Sequence, residues 1–139
     1  MKKLLLYLTF IFLAFSTFSK EKEAIKIGIL YDEFVSTHGL LLIEKEITDL
    51  IGNEYDINFP KDKQLLQNNN DRNEINKNLD ILLNDSTVDI VISAGLIISN
   101  ETIKRDDFRK PVFVPLTFKN TNKVSKAKNL NYIEGKIDF

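Results

Sequence analysis

The chain is 139 residues long, 43% hydrophobic and 28% charged, with a formal net charge of −1 and no cysteine. Those proportions suit one globular domain, and they exclude two classes. There is no basic excess to neutralise phosphates, so nucleic acid is not an expected partner. Without Cys there is neither a disulfide nor a thiol to carry an N-terminal lipid anchor.

"MKKLLLYLTFIFLAFSTFSKEKEA" reads as an export signal. Lys2 and Lys3 make a positive start, and Leu4 to Phe15 is an apolar run interrupted only by Thr9. Twelve helical residues cover roughly 18 Å, short of a ~30 Å hydrocarbon core, which favours a signal peptide over a membrane span. Small residues at Thr17 and Ser19 suit cleavage before Lys20, and Ala14 and Ser16 offer a second site. Residues 1–19 are therefore expected to be a signal peptide and 20–139 a single periplasmic or secreted α/β lobe. Removing the signal takes away two lysines and no acid, which leaves a net charge of −3. About 120 residues can then build one core.

"AIKIGILYDEF" (24–34) opens the lobe with a compact apolar run that predicts a strand ending at Asp32. "STHGLLLIEKEITDLIGN" (36–53) has helical period, with Leu40, Ile43, Ile47 and Leu50 or Ile51 on one stripe. Ser36 or Thr37 can cap its start and Gly52 its end. "EYDINFP" (54–60) predicts a short second strand. "PKDKQLLQNNND" (60–71) reads as a polar connection with at most one irregular turn. "DRNEINKNLDILLND" (71–85) predicts a helix on Ile75, Leu79 and Leu82 or Leu83, with Asp71 and Glu74 at capping-box spacing.

"VDIVISAG" (88–95) is a strand almost wholly apolar that stops on three small residues. A short helix is expected within "ISNETIKRDDF". "KPVFVPLTF" (110–118) is another strand, with Pro111 near its start, where a missing N–H does least harm. A last, short strand falls near Tyr132 and Ile133. Alternating strands and helices with apolar strands imply a three-layer, Rossmann-like (flavodoxin-like) parallel sheet of four to five strands, order 2-1-3-4-5, with helices on both faces.

In that order the winding reverses between the first and third strands, and the loops at their carboxyl ends part to leave a crevice. The expected ligand contacts are Asp32, Ser36 and Thr37 from the first loop, Ser93, Ala94 and Gly95 from the third strand, and Thr117 from the fourth. Small residues at 93–95 would let a ligand touch backbone, and the helix start at Ser36 and Thr37 would favour a ligand carboxylate. Phe34 and Phe118 are candidates to stack on a flat ligand, and His38 is the only histidine. Each has a plainer reading as a cap, a loop-ordering acid, a tight turn or a core side chain.

No catalytic constellation emerges, and the lobe is read as a binder without enzyme activity. "GILYDEF" stands where a dinucleotide fingerprint would need G-x-G-x-x-G. There is no Gly-rich phosphate loop ending in Lys and no G-x-S-x-G elbow. With one His and no Cys the common zinc sites are absent, so neither a metal nor a cofactor is expected. Asp32-Glu33 imitates the acidic pair of a response-regulator receiver, yet Ser93-Ala94 occupies the place of the phosphoryl-accepting aspartate.

"IKIGILYDEF", "VDIVISAGLIISNETIK" and "FRKPVFVPLTF" together resemble the first lobe of ABC-transporter substrate-binding proteins of the periplasmic type I fold. The likeness spans most of residues 24–139. It implies a binder of a small polar or aromatic ligand, with contacts at Ser36, Thr37, Ser93 to Gly95 and Thr117. It also implies an inner-membrane ABC permease as partner, and a second lobe or a dimer partner to close over the ligand. The competing expectation is an exported interaction or accessory domain of an envelope or efflux complex, with no small ligand.

Overall fold

The computed structural model of the chain describes residues 21–118 and 125–135, with Phe118 described by its backbone alone. The signal expected at residues 1–19 lies outside the described residues. The chain runs β1 (Glu23–Asp32), α1 (Thr37–Ile51), β2 (Tyr55–Asn58), a 3-10 turn (Lys61–Lys63), β3 (Gln64–Gln67), α2 (Arg72–Asn84), β4 (Ile90–Ala94), α3 (Leu96–Thr102), β5 (Val112–Phe118) and β6 (Leu130–Gly135). No helix among the described residues is long and apolar enough to cross a membrane.

All pairings are parallel, in the order β2-β1-β4-β5-β6, and β3 also lies along β1. The expected Rossmann-like α/β sheet is present. β2 pairs with Glu23 to Lys26, and β3 with Ile29 to Asp32. They form one edge strand interrupted between these two stretches. The interruption is local chemistry: Pro60 has no N–H to give a ladder, and its φ of −62° sets up the 3-10 turn. The polar connection read at 60–71 is thus corrected: its middle, Gln64–Gln67, is sheet.

β1 and β4 are central, and their side chains are buried on both faces, which explains their continuous apolar runs. On one face Leu30, Val91, Val112 and Val114 meet α2 and α3 through Ile75, Leu79, Leu82, Leu83, Ile98 and Ile103. On the other, Ile27, Ile29 and Ile92 meet α1 through Leu40, Ile43 and Ile47. α2 comes close because Gly28 has no side chain. A Cβ there would lie 3.1 Å from Leu82 and 3.2 Å from Val88. Burial of each such Leu or Ile contributes about 1.5–3 kcal/mol.

The helix ends follow their residues. Ser36 Oγ accepts the Gly39 N–H at 3.1 Å and caps α1. Asp71 caps α2 by accepting the Asn73 N–H at 2.8 Å. The capping box expected with Glu74 is not closed, because Glu74 accepts from Asn69 Nδ2 and Asn69 Oδ1 takes the Asp71 N–H. α3 begins directly at Leu96, earlier than the sequence pattern suggests.

Candidate functional site

Parallel strands point their carboxyl ends the same way, so the turns after β1 and β4 and the end of β5 converge. Between them lies an open crevice of about 340 Å³. Its walls are the side chains of Phe34, Val35, Ile43, Leu96, Pro115 and Leu116, with Ala94 and Gly95 at its base. The rim is unusually bare for apolar groups: Phe34 is 73% exposed, Leu116 47% and Leu96 46%. No basic side chain lines it among the described residues.

Asp32 ends β1 beneath this crevice and is only 4% exposed. Its Oδ1 accepts the Phe34 N–H at 3.1 Å, and its carbonyl accepts the Val35 N–H at 3.0 Å, which folds the chain into the turn that carries Phe34. Its Oδ2 is buried and has no hydrogen-bond partner among the described residues. The carboxylate rests against Gly95, whose φ is +110°, and a Cβ at residue 95 would fall inside van der Waals contact of all three carboxylate atoms. Glycine is required here twice over, by backbone conformation and by space.

That arrangement answers why the β4 strand ends in small residues. The room beside Gly95 is filled by Asp32 and is not empty space held open for a ligand. Ser93 is fully buried and turned into the fold, where its Oγ is 2.6 Å from Thr102 Oγ1 and its carbonyl accepts from Ser99 Oγ. Ala94 is buried with the α1 layer and reaches the crevice base. Thr117 is buried, its Oγ1 donating to Asn100 Oδ1 at 3.0 Å.

Ser36, Thr37 and His38 are exposed at the start of α1 and do not line the crevice. Ser36 spends its oxygen on the cap. Of the expected contacts, Asp32, Ala94 and Gly95 gather at one place. Ser93 and Thr117 serve the packing of α3, and Ser36 and Thr37 stand outside. Reasoning from sequence left Leu96, Val35 and Ile43 out of the site. The available signal was the run of large apolar residues immediately after each strand-ending turn, Phe34-Val35 and Leu96-Ile97, where solvated loops are normally polar.

The fold and crevice define an α/β sheet protein with a cleft at the topological switch point. Comparison with protein-family models, with curated proteins and with solved structures yields no match. The functional reading therefore stands on geometry.

Proposed function

We propose that the chain is an exported solute-binding lobe that takes a small molecule in the crevice formed by Phe34, Leu96 and Leu116 above Asp32, in the manner of the amino-terminal lobe of a periplasmic substrate-binding protein. The observation that carries this reading is an open apolar cleft whose base, at Gly95, is backed by the buried, half-paired carboxylate of Asp32. Small-molecule sites have that composition, mostly apolar walls with very few polar groups. The volume of about 340 Å³ suits a compact solute. In this reading an inner-membrane ABC permease receives the solute, and a second lobe or a dimer partner covers the exposed rim. The location would be the periplasm or the exterior.

A thermal-shift screen of the purified protein against amino acids, amines, sugars and nucleobases tests it. At least one class should raise the midpoint, and Leu116→Arg should abolish that shift while leaving the unliganded midpoint within about 2 °C, because exposed substitutions cost little. Absence of any shift across the screen would remove the solute reading. A second reading has its own support in the bareness of Phe34, Leu96 and Leu116. An accessory domain of an envelope or efflux complex would cover that rim with a partner protein, and the same screen would then be silent.

A further inference from the structure

We infer that the ligand of this crevice is a compact amine, an apolar body carrying one protonated nitrogen whose N–H completes Asp32 Oδ2; this rests on the solute-binding reading above. A buried polar atom is almost always hydrogen-bonded, and each exception calls for a reason. Here the exception is one oxygen of a carboxylate, with no cation paired to it among the described residues. Asp32 leans on the Gly95 backbone that forms the crevice base. The missing partner is thus a donor, and the surrounding walls of Phe34, Val35, Leu96 and Leu116 select an apolar body for it. A ligand carboxylate would meet a like charge and no basic side chain of the described lining.

Access runs through the turn that covers Asp32. Oδ2 has no solvent contact in the free protein, so the amine reaches it when the Phe34 turn lifts. That turn is held by the Phe34 N–H bond to Asp32 Oδ1 and by one main-chain bond from the Val35 N–H to the Asp32 carbonyl, and the Phe34 ring is largely exposed. Breaking the Phe34 N–H bond to Oδ1 is offset by a charge-assisted bond to the ammonium, of the stronger class of hydrogen bond. A larger hollow of about 460 Å³ at the other end of β1 is lined by Glu21, Lys22, Glu23 and Glu54, charged groups in open solvent with no unsatisfied buried atom.

The test is calorimetric titration of the full protein with matched sets that differ only in the polar group. Phenethylamine, 2-phenylethanol and 3-phenylpropionate form one set, and butylamine, butanol and butyrate the other. In at least one set the amine should bind tenfold or more tightly than its matched acid. Asp32→Asn should weaken amine binding at least tenfold and raise the unliganded Tm by roughly 3–8 °C, a pairing of lost binding with gained stability that a purely structural acid would not show. If an acid or alcohol binds as tightly as its matched amine, the amine inference is overturned while the solute-binding reading stands. If Asp32→Asn lowers Tm, the oxygen already has a partner and the inference is likewise overturned. If neither set binds and the wider screen is silent, both readings fall.

Discussion

At the amino end of β4 both acids accept from nearby donors. Asp85 receives Lys63 at 2.7 Å on one oxygen, and the Thr87 N–H at 2.8 Å and hydroxyl at 2.7 Å on the other. Asp89 accepts the Lys26 N–H at 2.8 Å and returns its own N–H to the Lys26 carbonyl. Lys110 closes the same corner by donating to the carbonyls of Asp85 and Val88. At the carboxyl end of β1 the contrast is plain: Asp32 is far more deeply buried and yet has one oxygen with no hydrogen-bond partner among the described residues. Both corners lie in one sheet built by one chain, so the difference does not arise from a shortage of polar groups. The amino end uses its acids to tie loops to strands, whereas at the carboxyl end one carboxylate oxygen, beneath the apolar cleft, has no donor among the described residues.

The largest expected effect strikes the carboxyl end. Gly95→Ala forces a Cβ into the Asp32 carboxylate at a φ of +110°, and should destabilise the protein by about 2–4 kcal/mol in urea unfolding, as steric and backbone strain combine. Gly95→Ala with Asp32→Ala should recover part of that loss, because the backbone strain stays and the clash goes. A double variant no more stable than Gly95→Ala alone would mean that the two residues do not oppose each other. Leu79→Ala, at a fully buried position of α2, should cost a comparable amount, at least about 2 kcal/mol, and serves as the core benchmark.

A smaller effect is expected at the amino end and shows itself through pH. Hydrogen bonds from Lys63 and then from Thr87 hold the Asp85 carboxyl well below the usual carboxylate range. The same pairing, first with Asp85 and then with Asp62, raises the Lys63 ammonium above its ordinary value. A depressed carboxyl stabilises the fold above its unfolded value, near pH 4, and that contribution fades as pH falls toward the folded value. The wild-type midpoint should therefore decline below about pH 4 more steeply than that of Asp85→Asn, and the two curves should converge in acid. Parallel curves would show that Asp85 contributes nothing to the acid limb. Smallest of all, Phe34→Ala should move stability by less than about 0.5 kcal/mol, since the ring is 73% exposed, while weakening ligand binding severalfold. A large stability loss would make Phe34 a core residue rather than a wall of the site.

Much of the framework was legible in the residues. The 3.6-residue stripes placed α1 and α2 to within two residues at each end, and resolved side chains then chose between neighbours: Ile51 is half-buried and Leu50 is 81% exposed. The unbroken apolar runs of β1 and β4 announced strands covered on both faces, and the alternation of elements carried the parallel order. β3 was hidden because Gln64 and Gln67 are polar. Gln67 is nevertheless buried, its amide donating to Asn69 and its carbonyl accepting from Asn78, and no local pattern reveals that a distant Asn will satisfy it.

Sequence by itself determined the periodicities, a cap for α1 at Ser36 or Thr37 and for α2 at Asp71, and the presence of an acid and a glycine at the ends of two strands. Only the tertiary structure decided that these two meet. Asp32 and Gly95 stand 63 positions apart in the chain, and their contact depends on the register that sets Tyr31 beside Ala94 across β1 and β4. Local propensity encodes nothing about a residue so remote. Register arises from packing two covered faces at once, and it is this packing that turned a run of small residues into the seat of a buried carboxylate.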